Sequence, residues 1–346
     1  MKVFKKILMA AVAVVVVSFV GCIVENKLNS NYNNLDTVGR FVIREFSDYK
    51  KAAEKKPMWK GDKFFDHPVL VLDGALNKAY YFPVKGQSVN SIFATKIKNA
   101  PVDVYRLSRV TPQIIGKKMS IGYFNTIGEK YNLFGKDTYY VKLDNKNGIN
   151  KNYTPQHFMP FLSHEAFHYY MQNEWADGER FDEPYTENDL NLLFDEYDVL
   201  DKYQRMRVNG NINKKELKNI ARDYVSAMDK RIKANPNYLN KEMSMETAEG
   251  SATYVGIKAA KAVDYKFDVM CFNDKAVHVP FSTLRKQYKD KTINMNHLRN
   301  IVPYETGALL CFMLDDLGVD NWQDVLNKQT KKKPVYLYDI IKKNVM

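Results

Sequence analysis

The stretch FLSHEAFHYY, residues 161–170, is the main basis for predicting the fold and the functional site of this 346-residue chain. Apart from His164, Glu165 and His168 every residue in it is uncharged, which predicts a helix buried in the core. Residues four apart share one face of a helix, so the two imidazoles can meet at one point with the carboxylate beside them. This HExxH spacing predicts a zinc site in which Glu165 is the general base for a zinc-activated water. The competing interpretation, two half-buried histidines on an ordinary amphipathic helix, would leave Glu165 unpaired in an apolar run.

A zinc site of this kind needs a third protein ligand, and Glu249 is the leading candidate. It lies in ETAEGSATYVGIKAA, residues 246–260, a run rich in small residues and compatible with a helix. Gly250 would let this helix approach the HExxH helix closely, because no side chain stands between them. Glu246, one turn earlier, is the competing ligand, or a group that fixes the tautomer of a ligating histidine.

Two further segments carry a resemblance to a known family. AEGSATY, residues 248–254, resembles the segment that carries the glutamate ligand in the gluzincin metallopeptidases, particularly their aminopeptidase clans. VPYETGALL, residues 302–310, resembles the segment whose tyrosine stabilises the oxyanion in those enzymes, and Tyr304 is the matching residue. The alternative is a tyrosine that only packs at the start of an apolar helix.

The resemblance covers about thirty residues and departs from the family in two respects. Eighty residues lie between His168 and Glu249, whereas the aminopeptidases have a short spacer there. The segment with which those enzymes bind a free amine is missing upstream, so aminopeptidase specificity is not implied. The resemblance therefore implies a divergent gluzincin with an insertion, binding one zinc ion through His164, His168 and Glu249.

The N-terminus predicts export. Three lysines within the first six residues precede an apolar run at residues 7–20, which is the length of a signal-peptide core and short for a membrane span. The run ends in FVGC, residues 19–22, which resembles a bacterial lipobox with Phe19 where leucine is usual. Lipidation of Cys22 is expected, with an uncleaved anchor as the alternative. Low hydrophobicity predicts a flexible tether at residues 22–35.

The net charge of the chain limits the classes of binding partner that are expected. The formal net charge is +12, and removing the three N-terminal lysines with a signal peptide would leave +9. Such a charge favours anionic envelope components, and no nucleic-acid motif accompanies it, so nucleic acid is not expected as a partner. The acidic residues between 174 and 201 are expected to form a solvated face, or alternatively a calcium site or a recognition surface. Cys271 and Cys311, in apolar surroundings, are expected to be buried thiols rather than a disulfide.

The patterning predicts an α+β fold of the zincin type. Residues 36–57 predict one amphipathic helix, and residues 67–145 contain β-type runs (HPVLVLD, KAYYFPV, VDVYRLSRV, DTYYVKLD), whereas the pattern is helical from about residue 154. We expect a signal peptide at residues 1–21, the tether at 22–35, a β-rich subdomain at 36–150 and a helical catalytic subdomain at 151–346, with the active cleft between the two. The strand at residues 138–143 is further expected to border the cleft and pair with an extended peptide.

Together these features predict an exported, lipid-anchored zinc metallopeptidase of a bacterial cell envelope that acts on peptide or protein substrates. The alternative is a surface-anchored binding lipoprotein in which the metal site is structural only, closed by a fourth ligand such as Glu246. The sequence leaves the substrate, endo- or exo-cleavage and the oligomeric state open.

Overall fold

The computed structural model describes residues 2–73, 78–144, 148–149, 155–176, 178, 185–271 and 278–346. It is a mixed α/β protein, about 59% helical with a small sheet, which confirms the mixed fold class. The chain divides into two compact units, Met1–Lys56 with Lys63–Lys151, and Pro57–Asp62 with Asn152–Met346. The predicted boundary between residues 150 and 151 lies outside the described residues.

The first unit contains a five-stranded sheet and a separate two-stranded hairpin. The strands are β1 Val69–Asp73, β2 Lys78–Phe82, β3 Ala94–Lys96, β4 Tyr105–Leu107, β5 Asn132–Leu133, β6 Lys136–Asp137 and β7 Tyr139–Leu143. The sheet has the order β3-β4-β2-β1-β7, with β1 and β7 parallel and the other neighbouring pairs antiparallel, and β5 pairs with β6 in the hairpin. The four predicted β-type runs each contain one strand of the sheet, whereas β3 was not predicted.

Both faces of this sheet are covered, which explains why β1 is buried at all five positions instead of alternating. Helix α2, Thr37–Lys55, confirms the predicted amphipathic helix, and its Phe46 ring stacks on Phe82 at 3.9 Å. On the other face Ile114, from α3 (Pro112–Met119), joins Leu70 and other sheet residues in one buried cluster.

The N-terminal helix α1, Lys2–Leu28, includes the apolar run. Its stretch Phe4–Leu28 is long and apolar enough to cross a membrane, with a mean hydropathy of 3.0, and no residue of its most apolar 18-residue window is buried in the protein. The helix differs from the predicted tether, because residues 22–28 are helical. Asn26 explains the difference: its side-chain amide donates to the Arg106 carbonyl oxygen at 3.0 Å and to Thr95 Oγ1 at 3.2 Å, which fixes this end of the helix on the sheet.

The edge of β7 is less accessible than the predicted peptide pairing requires. β7 is the last strand of the sheet, but its outward N–H groups already have acceptors. Tyr140 N donates to Asn125 Oδ1 at 2.8 Å, and Lys142 N donates to the Tyr123 carbonyl oxygen at 2.6 Å. An added strand would have to displace these bonds, so the structure does not favour the predicted pairing.

The second unit is helical, and no strand occurs among its described residues. Its helices are α4 Phe158–Met171, α5 Glu187–Val208, α6 Lys214–Ala234, α7 Pro236–Ala262, α8 Leu284–Lys289, α9 Met295–Asn300, α10 Val302–Leu317, α11 Trp322–Asn327 and α12 Leu337–Val345. Helix α7 lies at the centre, with 19 of its 27 residues buried. A helix buried all round needs small and apolar residues on every face, as the run around Glu249 supplies.

The acidic stretch is not simply a solvated face. Glu196 and Asp201, both on α5, are buried. Arg231 of α6 forms an ion pair with Glu196 and two hydrogen bonds, of 2.6 and 2.9 Å, with Glu242 of α7. Burial raises the pKa of Glu196 to about 7, although Arg231 opposes this shift. The stretch therefore includes part of an internal ion-pair network, whereas its members Asp177, Glu179, Asp182 and Glu183 lie outside the described residues.

Both internal cysteines are buried, and neither forms a disulfide, which confirms the expectation of buried thiols.

Candidate metal centre

Helix α4 carries the HExxH motif through the middle of the second unit. Pro160 stands in the first turn, where its missing N–H is tolerated. Its apolar side chains pack into the core, and the Phe167 ring contacts Trp59 at 4.8 Å on the short segment Pro57–Asp62. His157 precedes the helix and stacks on Tyr265 with 3.6 Å between ring centroids, which indicates a structural role. These packing contacts fix the position of α4 within the second unit.

Three predicted ligands meet at one point. His168 Nε2 lies 3.1 Å from His164 Nε2 and 3.1 Å from Glu249 Oε2, and His164 Nε2 lies 3.5 Å from the same carboxylate oxygen. Each side chain keeps about a fifth of its surface exposed, so the cluster is reachable from solvent. Among the described residues, these three form the one group of histidine, cysteine and acidic side chains with metal-binding proximity.

Glu246 does not belong to this cluster. Its carboxylate accepts a hydrogen bond from Thr306 Oγ1, and the side chain is buried. Burial raises its pKa well above the ordinary value, and the neighbouring carboxylates Glu196 and Glu242 add to this effect. Glu246 is therefore placed as a buried core carboxyl, and it does not bond either histidine of the motif.

Glycines set the distances between α7 and its neighbours, but not as the sequence predicts. Gly250 faces α10 and not α4, because a Cβ atom there would lie 2.4 Å from the Cα of Gly307. A Cβ on Gly307 would in turn overlap the backbone of α7. The glycine that meets the HExxH helix is Gly256, where a Cβ would lie 3.1 Å from the Pro160 carbonyl oxygen. Gly250 was expected to contact α4, and this expectation is wrong because Gly250 contacts α10. Helix α7 is rotated about its axis relative to the orientation expected from the sequence.

Gln172, which sequence reasoning missed, orients His168. Its Oε1 lies 2.6 Å from His168 Nδ1, while its Nε2 donates to the Ala248 carbonyl oxygen at 2.8 Å and to Ser251 Oγ at 3.0 Å. Because both donors of the amide are directed at acceptors, the oxygen faces the ring and Nδ1 carries the proton. The other nitrogen, Nε2, is thereby presented to Glu249. The signal was available, since Gln172 follows His168 by one helical turn.

The electrostatics of the cluster favour a positive charge at its centre. Burial alone would raise the pKa of Glu249, but hydrogen bonds to His164 and His168 outweigh it and hold that pKa well below its usual range. Burial lowers the pKa of His168, yet Glu249, Glu165 and Gln172 together raise it above the ordinary value. The residues that gather around the two imidazoles therefore attract either a proton or a metal cation.

A cavity of about 360 Å³ opens beside the cluster. His164, Glu165 and Tyr304 line it, and the Tyr304 ring is parallel to that of His164 with 6.0 Å between centroids. Its apolar wall consists of Pro155, Pro160, Phe161, Phe267 and Ile301. The structure therefore brings all five predicted site residues together, with Glu165 and Tyr304 facing the same space.

Comparison of the chain with known protein families, with curated proteins and with solved structures finds no match.

Proposed function

We propose that this protein is an exported zinc-dependent metallopeptidase. The observation that carries the proposal is the convergence of His164, His168 and Glu249 from two helices, although 80 residues separate the histidine pair from the glutamate. Glu165 and Tyr304 share the adjoining cavity, as a general base and an oxyanion donor require. The arrangement is the one expected of a divergent gluzincin with a zincin-type catalytic unit.

The donor set fits zinc. A tetrahedral ion with bonds of about 2.0–2.2 Å holds its ligand atoms about 3.3–3.6 Å apart. The three donor atoms here are 3.1, 3.1 and 3.5 Å apart. Two neutral imidazoles and one carboxylate are a known catalytic zinc set, and they leave a fourth position for water. With Glu246 bonded to Thr306, the described residues offer no obvious fourth ligand to close the site, which favours a catalytic role over a structural one.

Each residue has a separate task in peptide hydrolysis. Zinc bound here would lower the pKa of a coordinated water and polarise the substrate carbonyl. Glu165 would accept the proton of the attacking water and later pass it to the leaving amine. Tyr304 would donate its phenolic hydrogen to the developing oxyanion, where a hydrogen bond is strongest in a site with little water. Gln172 would keep the His168 ring in its ligating orientation.

The cavity suggests the kind of peptide. Its apolar wall lies next to Glu165, so it would receive the side chain of a residue adjoining the scissile bond. A volume of about 360 Å³ is enough for one large apolar side chain together with the reacting groups. We therefore expect cleavage beside large apolar residues.

The location follows from the N-terminus. We propose that the protein is held at the outer side of a bacterial membrane, through lipid on Cys22 or, alternatively, through the uncleaved apolar helix. Its partners would then be that membrane and a peptide or protein substrate of the envelope.

The test begins with zinc content. The full chain is purified in detergent, dialysed against a weak chelator and analysed for zinc, alongside Glu249→Gln and Glu246→Gln. We expect one zinc per chain in the wild type and in Glu246→Gln, and loss of zinc in Glu249→Gln alone. The matched glutamates make the comparison specific, since both substitutions replace a carboxyl group by an amide of nearly the same size, three residues apart on the same helix.

Activity is tested separately with Glu165→Gln on a peptide library. The variant should keep its zinc and lose hydrolysis by at least about 100-fold, because the water loses its base while the ligands stay. A folded wild type without zinc would refute the metal site. Zinc without cleavage of any peptide would instead favour a binding lipoprotein with a structural metal site.

A further inference from the structure

The first unit carries a series of exposed apolar side chains, close together along the chain, that the proposed function does not use. They lie within residues 115–127, from the middle of α3 into the loop before β5, and we call this stretch the apolar ridge. The exposed fractions are 96% for Ile121, 82% for Met119 and 61% for Tyr123, with Ile115 and Ile127 also exposed. Elsewhere among the described residues beyond α1, large exposed apolar side chains stand singly along the sequence. Single ones are common on protein surfaces, but a cluster marks an interaction site.

The backbone of the ridge is fixed in place. Ile114, just before it, is fully buried in the core cluster of the first unit. Tyr140 N donates to Asn125 Oδ1, and Lys142 Nζ donates to Ser120. A Cβ on Gly122 would lie 3.2 Å from the Tyr140 hydroxyl, so the chain passes close over β7 there. The apolar side chains therefore project from an anchored backbone, and little ordering is needed when they bind a partner.

Charge around the ridge favours an anionic partner. Residues 109–136 contain five basic side chains (Arg109, Lys117, Lys118, Lys130 and Lys136) and one acidic side chain, Glu129. Arg109 forms an ion pair with Glu25 and the Lys118 Nζ atom is buried, whereas Lys130 and Lys136 are exposed. Basic residues close to an anionic bilayer are attracted to its negative surface potential. Isoleucine and methionine flanked by lysines, with a tyrosine among them, are the composition of a segment that lies in a membrane interface.

The ridge also begins close to the residue expected to enter the membrane. Arg109 Nε donates to Cys22 Sγ at 3.1 Å, and Ser108 Oγ donates to the Cys22 carbonyl oxygen at 3.3 Å. Helix α3 then starts at Pro112 and is eight residues long, so the chain path places Met119 within about 20 Å of Arg109. Whether Cys22 is lipidated or α1 stays in the bilayer, this residue would lie near the membrane surface. One flat bilayer can therefore reach both Cys22 and the ridge.

We propose that the apolar ridge docks on the surface of the anionic bilayer that holds the N-terminus. Ile121 and Met119 enter the interface, while the exposed Lys130 and Lys136 contact lipid phosphates. The membrane then binds the first unit at two places, at α1 and at the ridge, and limits its rotation about the anchor. This contact does not depend on the metal site or on hydrolysis.

The experiment places a tryptophan at the ridge of the full chain. Ile121→Trp and the control Val208→Trp are reconstituted into vesicles of phosphatidylcholine and phosphatidylglycerol, some with brominated acyl chains that quench nearby tryptophan. Val208 suits as a control because it is an exposed aliphatic residue at the end of α5, in the second unit. The wild type supplies the background from the three native tryptophans, all of which are buried.

We expect a blue-shifted emission and bromolipid quenching for Ile121→Trp, and neither for Val208→Trp. Adding Lys130→Glu and Lys136→Glu to Ile121→Trp should reduce the quenching, because the attraction to anionic lipid is weakened. Quenching at position 121 no greater than at position 208 would refute the contact. A blue shift without quenching that grows with protein density would also refute it, since a second copy of the chain would then cover the ridge.

Discussion

Replacing Gln172 by alanine is expected to weaken zinc binding about 10- to 100-fold, or about 1.4–2.7 kcal/mol. The structure supports this magnitude. The substitution removes the acceptor 2.6 Å from His168 Nδ1 and the two donated bonds that connect this side chain to α7. Gln172 is buried, so water does not readily take its place, and an unsatisfied N–H costs about 1–3 kcal/mol. His168 would avoid that penalty by turning, which moves Nε2 away from Glu249.

The assay is a competition titration of zinc against a chromophoric chelator, with the full chain in detergent. Gln204→Ala is the matched control, because Gln204 is another buried glutamine of the second unit and bonds the backbone of Val279 and Phe281. Both variants should lose some stability, but only Gln172→Ala should lose zinc affinity. Equal zinc dissociation constants in the two variants would refute the orienting role of Gln172.

Three further outcomes follow from other contacts. Tyr304→Phe should lower kcat about 100-fold with little change in KM, the mark of a hydrogen bond made in the transition state; a change in KM alone would contradict the oxyanion role. Gly250→Ala should lower the unfolding free energy by about 1–3 kcal/mol in a denaturant titration, because its Cβ would lie 2.4 Å from Gly307 Cα, whereas Gly116→Ala, with open space around its Cβ, should not. Burial raises the pKa of Glu305 to about 7, so this group stabilises the fold fully below about pH 4.5 and less as the pH rises through 7. In Glu305→Gln the fall in unfolding free energy between pH 5 and 8 should be smaller by about 1–3 kcal/mol, and an unchanged pH dependence would contradict this.

The sequence predicted the strongly patterned elements of the fold. Helix α2 and four of the sheet strands come from segments whose apolar residues follow a clear pattern. β3 could not be found in this way, since its three residues Ala94–Lys96 carry no apolar run and pair with β4 alone. The helical residues 22–28 were missed because one polar contact of Asn26 holds them, and hydropathy does not register such a contact.

The site was predicted residue by residue, but its arrangement was not. Glu246 and Glu249 are three residues apart on one helix, so both lie near the same face and the sequence cannot choose between them. The rotation of α7 about its own axis determines which of the two glutamates faces the histidines. The contact of α7 with α10 at Gly250 and Gly307 sets that rotation. The sequence could not predict that the edge of β7 is covered, because the groups that accept its hydrogen bonds, Asn125 and Tyr123, lie in an earlier loop of the chain.

The contact of Gly250 with Gly307 has a consequence for how the site moves. Glu249 adjoins one glycine, and Tyr304 stands less than one helical turn before the other. Both functional groups are thus close to the point where α7 and α10 contact each other. A change in the angle between the two helices displaces residues least at that point. Larger motions of the helix ends would leave the separation of carboxylate and phenol almost constant, so the two should respond together to any disturbance of the crossing.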